Sequence, residues 1–320
     1  MPLDPAAAAF LATPAGQQRF PAEVETDASA AREYLSSTRA GLAAVTATGK
    51  EPVDQVTDVR LSAGRRLRVY RNIAAAPAPT VLYFHGGGWV VGSPEMSDPL
   101  CRRLVNLTGA VVASLDYRLA PEHPYPAALD DCADALTWLR GNAQLLGGDA
   151  GAVTVAGTSA GGNLAAGLAL LVRDRGLPPL AAQVLLYPVL DARMDTPSYA
   201  AYGTDYYLQA RQMRWYWHQY VGADLAAVPG YAAPAGVADL RGLAPALIVS
   251  AEFDPLRDEA ETYAGRLAAA AVPTRMIRAD GQLHSFLSFV GQVPAVDAAV
   301  ADIAGAMRQL WAASPPETTG

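Results

Sequence analysis

Gly157-Thr158-Ser159-Ala160-Gly161 reads G-x-S-x-G. An apolar run, Ala152 to Ala156, precedes it, and a helical pattern, Asn163 to Val172, follows it. A serine on a sharp turn between a strand and a helix presents its hydroxyl as a nucleophile. Small neighbours let the two elements close around that strained turn. The chemistry implied is attack on a carbonyl carbon. The competing reading, a glycine-rich turn with an ordinary serine, is disfavoured by the strand–turn–helix context. A second glycine run, His85-Gly86-Gly87-Gly88-Trp89, directly follows the apolar run Thr80 to Phe84. Its glycines bare backbone N–H groups, and such a loop forms half of an oxyanion hole. The residue after the nucleophile, Ala160, supplies the other half. A phosphate-cradling loop would want a nearby lysine, and the chain's single lysine is Lys50.

A serine nucleophile needs a base, and the base needs an orienting acid. The histidines are His85, His123, His218 and His284. His85 belongs to the glycine loop, His123 to a proline-bounded turn, and His218 to an aromatic helical stretch. His284 follows the last expected strand, where an open α/β sheet places its site, so it is the base. Asp254 follows the run Ala246 to Ala251 and is the acid, giving the chain order Ser159, Asp254, His284. An aspartate before proline is also a good helix cap, and the two roles are compatible. Glu252 and Asp258 are the runner-up acids.

These residues require elements to hold them. Val56 to Leu61 and Leu67 to Arg71 flank Ala63-Gly64 as a hairpin. Short β-rich runs follow at Thr80 to Phe84, Ala110 to Leu115, Ala152 to Ala156, Gln183 to Tyr187, Ala246 to Ala251 and Thr274 to Arg278. Helical patterns fall near 98–108, 126–140, 160–174, 256–271 and 292–313. Near-continuous apolar strands alternating with helices imply an α/β fold with a mostly parallel sheet covered on both faces. Two regions lack strand signals. The first fifty residues hold a short helix after Asp4-Pro5 and another over Ala28 to Ala44. The segment Asp191 to Leu243 is crowded with aromatics and reads as an inserted subdomain. In it Met213, Trp217 and Tyr220 share one helical face, expected to be core. The tail from Ser314 to Gly320 reads as frayed. Asp116, Arg118 and Glu122 are expected to form a buried ion network beneath the site. An apolar pocket drawn from Trp89, Tyr187, Tyr206, Tyr207, Trp215 and Phe286 is expected, since such pockets are mainly hydrophobic and aromatic.

Composition narrows the function. The chain has 320 residues, a net charge of −7, 51% hydrophobic and 17% charged residues. That excludes a disordered chain. Without a basic stretch, no nucleic-acid partner is expected. The longest apolar runs fall short of the ~20 residues of a membrane span. The run Ala6 to Ala12 lacks a basic flank, so it is not read as a signal peptide. Cys101 and Cys132 offer neither a disulfide framework nor a zinc set, so the reading is a cytoplasmic protein. No two histidines stand at metal-ligand spacing, so no metal is expected.

The blocks HGGGW (85–89), DYRLAPEHPYPAALDD (116–131), GTSAGGNL (157–164), DPLRDE (254–259) and HSF (284–286) occur in that order. Together they resemble the bacterial hormone-sensitive-lipase-like, or family IV, carboxylesterases, on the GTSAG branch because Thr158 stands where the other branch has aspartate. The resemblance covers most of residues 56–313. It implies an α/β-hydrolase core (51–189 and 244–320) and a helical cap (1–50 and 190–243). It implies ester hydrolysis without cofactors, with Ser159, Asp254 and His284 as the triad and Gly87, Gly88 and Ala160 as oxyanion donors. It is compatible with a homodimer through the last strand and helix. The expected substrate is a small hydrophobic ester of short to medium acyl chain. An amidase using the same triad, and a non-catalytic small-ligand receptor, are the alternatives.

Overall fold

A computed structural model of the chain describes residues 2–13, 16–17, 20, 27, 29–37, 50–61, 64–73 and 77–313. Its strands are β1 (Gln55–Arg60), β2 (Arg66–Arg71), β3 (Ala78–Phe84), β4 (Val111–Asp116), β5 (Gly148–Thr158), β6 (Ala182–Leu186), β7 (Ala246–Phe253) and β8 (Thr274–Leu283). They form one sheet in the order β1-β2-β4-β3-β5-β6-β7-β8. β2 runs antiparallel to both β1 and β4, and every later pairing is parallel. The helices are α1 (Pro5–Leu11), α2 (29–37), α3 (Asp98–Thr108), α4 (Ala127–Asn142), α5 (Ala160–Asp174), α6 (Pro197–Tyr202), α7 (Ala210–Val221), α8 (Arg257–Ala269) and α9 (Pro294–Ala313). Residues 38–44 of the expected second helix, the hairpin residues 62–63 and the tail 314–320 lie outside the described residues.

The central strands are buried on both faces, and their side chains alternate between two cores. Leu82 and Phe84 of β3 join the core beneath α4, α5 and α8, with Leu129, Leu164 and Leu267. Val81 and Tyr83 point the other way, toward Leu104 of α3 and Val300 and Ile303 of α9. That double burial is why these strands read as unbroken apolar runs rather than as alternating ones. Between β6 and β7 the described chain forms helices and turns and no strand. There Met213, Trp217 and Tyr220 are all buried on one face of α7.

Parallel pairing places the chemistry. The register sets Phe84 opposite Gly157, so the loop after β3 lies beside the turn after β5. It also sets Phe253 opposite Leu283, so Asp254 and His284 leave adjacent strands side by side. That last pairing follows an irregularity. Ala251 pairs with Ala279, and two further residues of β7 then match four of β8. The extra length turns at Gly281, whose N–H donates to Glu252 Oε2 at 2.7 Å and whose carbonyl accepts from Asp4 N at 2.9 Å.

The expected ion network is corrected. Asp116 pairs with Arg66, and Glu122 pairs with Arg32 of α2. Glu122 is exposed and Asp116 only half-buried. Arg118 instead reaches forward to Asp131 of α4, which is buried and also accepts the Arg118 backbone N–H at 2.8 Å. The three residues follow one another along the chain, but each side chain finds its counter-charge on a different element.

The tightest backbone approach joins β3 to the start of α5. A Cβ built at Gly161 would lie 2.0 Å from the Phe84 carbonyl oxygen, and one at Gly157 would lie 2.3 Å from Gly161. Neither neighbour can move, because both belong to the sheet or its helix. Overpacking of this kind costs about 1–3 kcal/mol or more. Gly161→Ala is therefore expected to lower the unfolding free energy by at least about 1 kcal/mol, read as a lower urea midpoint, and an unchanged midpoint would show that β3 and α5 do not touch here.

Candidate active site

Four loops at the carboxyl ends of β3, β5, β7 and β8 converge on one point. Ser159 stands between β5 and α5 with φ 55° and ψ −117°, a conformation few residues other than glycine adopt. The turn is held by Ser159 N donating to Leu186 O at 2.9 Å and Asn163 N donating to Ser159 O at 3.0 Å. Its hydroxyl lies 3.0 Å from His284 Nε2. His284 Nδ1 lies 2.7 Å from Asp254 Oδ2. The other oxygen of Asp254 accepts Leu256 N–H at 2.9 Å, so this carboxylate caps the turn into α8 and orients the imidazole together. Asp254 has no exposed surface, and Ser159 and His284 are buried.

The remaining candidates are placed elsewhere. Glu252 braces Gly281. Asp258 accepts Ser198 N–H and pairs with Arg257. His85 stacks on Tyr117 with ring centres 4.2 Å apart, His218 faces Gly222 O, and His123 is exposed. Among the described residues, no group of three or more His, Cys, Asp or Glu side chains could hold a metal ion.

The glycine loop lies against the serine. A Cβ at Gly86 would come within 3.5 Å of Ser159 Cβ. Gly88 has φ +57°, and a side chain there would strike the Tyr216 ring at 2.2 Å. Glycine is thus required twice over, by conformation and by the helix above it. Among the described residues, no acceptor binds the N–H groups of Gly87, Gly88 or Ala160. The Ala160 N–H also opens α5, where the helix dipole favours negative charge. The arrangement can therefore activate a hydroxyl and receive a developing oxyanion beside it.

The expected pocket aromatics divide. Tyr187 packs edge-on to His284 with ring centres 5.0 Å apart and to Phe286 at 5.6 Å. Phe286 and Tyr207 line a small apolar cavity with His284 in its wall. Trp89 is corrected. It has no exposed surface and stacks on Tyr220 of α7 at 4.2 Å and 6°, so its ring joins the glycine loop to the helix above. Trp215 is buried between Phe20 and Tyr216, and Tyr206 lies flat on Phe253; neither lines the cavity beside His284. Sequence reasoning missed Phe10, Phe289 and Val296, which complete that cavity. Phe10 was findable as the single aromatic of an alanine-rich helix, and its ring contacts Tyr207 and Phe289 at 5.3 and 5.1 Å.

With that geometry in hand, the relatives are informative. A family model for the alpha/beta hydrolase fold matches residues 81–288. The carboxylesterase NlhH of Mycobacterium tuberculosis is 44% identical over 222 residues, covering 68% of this chain and 69% of that protein. An ethyl acetate hydrolase of Pseudomonas putida is 36% identical, covering 76% and 78%. Among solved structures, the hyperthermophilic esterase of the archaeon Pyrobaculum calidifontis superposes with a TM-score of 0.88 at 41% identity, covering 97% of this chain and 99% of that one. The chain therefore belongs to the α/β-hydrolase family, among its hormone-sensitive-lipase-like carboxylesterases.

Proposed function

We propose that this enzyme hydrolyses small hydrophobic carboxylic esters through an acyl-enzyme on Ser159. The observation that carries the reading is the unbroken line from Asp254 to His284 to Ser159, at 2.7 and 3.0 Å, ending beside the glycine loop. His284 Nε2 takes the Ser159 proton as the oxygen attacks the ester carbonyl. Asp254 holds the Nδ1–H tautomer and stabilises the imidazolium. The carbonyl oxygen becomes an oxyanion, received by the N–H groups of Gly87, Gly88 and Ala160, each donor contributing about 3 kcal/mol. His284 then protonates the leaving alcohol. Water repeats the sequence, with His284 as base, and releases the acid. No cofactor enters any of these steps.

Residues 190–243, with α1 and α2, act as a helical cap over the core formed by 51–189 and 244–313. The support is that α7 lies over the glycine loop and α1 walls the cavity beside His284. Phe10, Tyr207, Phe286 and Phe289 leave only a small apolar space beside His284, and that crowding supports short to medium acyl chains. Thr158 supports the GTSAG branch. The free, buried Cys101 and Cys132 favour a reducing, cytoplasmic setting. Among the described residues no helix is long and apolar enough to cross a membrane. The edge position of β8 leaves it available to pair with a second copy in a homodimer.

Ser159→Ala is expected to reduce turnover of p-nitrophenyl butyrate by roughly 10⁴-fold or more while near-ultraviolet circular dichroism stays unchanged. Retained turnover in that variant would refute the nucleophile. Across p-nitrophenyl esters of rising acyl length, kcat/KM is expected to peak at about ten carbons or fewer, as a closed finite pocket requires. Phe10→Ala opens the wall and moves that peak to longer chains. An unchanged profile would remove α1 from the pocket.

A further inference from the structure

The segment 187–191 follows β6 and carries Tyr187, whose ring lies against the His284 imidazole. Tyr187 sits at φ +37°, a strained value for an aromatic residue, so something must hold it. The backbone of this segment is bound from every side. Tyr187 N donates to Val249 O, and Val189 N donates to Ser159 O. Asn163 of α5 donates its amide to Val189 O at 2.9 Å and to Ala232 O at 2.7 Å. From the opposite side, Glu259 Oε1 of α8 accepts Leu190 N–H at 2.7 Å. Glu259 is 3% exposed, and its second oxygen meets no hydrogen-bond partner among the described residues. A glutamate in such a place is unusual, because a buried carboxyl is retained only where it satisfies something specific.

We propose that Glu259 is a positioning residue for the triad: its carboxyl fixes Leu190 and so holds the segment that braces His284 opposite Asp254. The inference rests on the ester-hydrolase reading of Ser159, Asp254 and His284. α8 begins one turn after Asp254, so the acid that orients the imidazole caps the turn into the helix that carries the clamp on its brace. Asn163 extends the same logic to the nucleophile, since it lies one turn beyond Ser159 on α5. The segment thus ties the helix behind the nucleophile to the helix behind the acid. Burial pushes the Glu259 carboxyl well above its ordinary range, and the neighbouring Asp191 and Asp254 carboxylates push the same way. The Leu190 and Asp191 amides pull in the opposite direction. Glutamine keeps an acceptor oxygen for the Leu190 N–H.

The test compares wild type, Glu259→Gln and Glu259→Leu, with active sites counted by stoichiometric p-nitrophenol release from diethyl p-nitrophenyl phosphate. Turnover of p-nitrophenyl butyrate is then expressed per titrated site, which removes any unfolded fraction. Glu259→Leu is expected to lose about tenfold in kcat with KM nearly unchanged, since displacing a reacting group by ~1 Å is costly to rate and not to binding. Glu259→Gln retains most of kcat. Equal per-site kcat in wild type and Glu259→Leu would overturn the proposal, as would a glutamine variant as slow as the leucine one. Should Glu259→Leu fail to fold, Tyr187→Leu leaves the Glu259–Leu190 hydrogen bond in place and removes the ring that braces His284, together with its packing on Phe286. It too should lose kcat per site, and an unchanged value would overturn the proposal. A wild-type chain that neither turns over the ester nor reacts with the phosphate ester fails the underlying reading, a result distinct from any ratio between variants.

Discussion

The Asp254 carboxylate is sealed from water and shared between two partners, a backbone N–H of its own turn and the imidazole of His284. A buried charge of this kind is tolerable only with its hydrogen bonds made in good geometry. That requirement reaches far into the fold. The two residues leave neighbouring strands at the same level only because β8 gains residues against β7 just before its end. The added residues turn through Gly281 and are pinned by Glu252. The irregularity in the ladder is therefore what converts ordinary parallel pairing into alignment of an acid with a base.

The Ser159 side depends on contact distance rather than charge. Phe84 O, Gly157 and Gly161 meet so closely that no side chain fits among them. The serine is forced into its strained conformation, and the glycine loop after β3 is brought against it. That loop is then fixed from above. Trp89 stacks on Tyr220 and leans on Trp217, while Tyr216 occupies the space a side chain at Gly88 would need. Bare amides are floppy unless something rigid covers them, and here the covering is an aromatic helix inserted between β6 and β7. Preorganised donors are effective because they need no rearrangement when charge develops.

Much of this was legible beforehand, for definable reasons. Strands buried on both faces announce themselves as apolar runs, and α3 and α5 fall where their periodicity put them. The serine turn, the glycine loop, Asp254 and His284 each carry a local signature at a strand end, and chain order assembles them. What stayed hidden depends on approach between distant segments. Nothing near Trp89 tells that its ring meets a helix over a hundred residues later. Asp116, Arg118 and Glu122 stand close together in sequence yet pair with Arg66, Asp131 and Arg32. Glu259 lies within a recognisable block, but its burial and its hold on Leu190 arise only from tertiary packing. Phe10 precedes the sheet by more than forty residues, and only folding brings it to His284.

The first helix is moored at both of its ends. Its cap residue, Asp4, joins the sheet through one backbone hydrogen bond to Gly281, and Phe10 rests between two other rings. No strand of the sheet passes through it, and no group of the acid–base relay belongs to it. The Ser159–His284–Asp254 line and the wall that α1 contributes to the cavity beside it are in this way built from separable stretches of polymer. Exchange of a few alanines in α1 can reshape that wall while the hydrogen bonds of Ser159, His284 and Asp254 stay as they are. A scaffold divided along that line can vary the wall without disturbing the relay beside it.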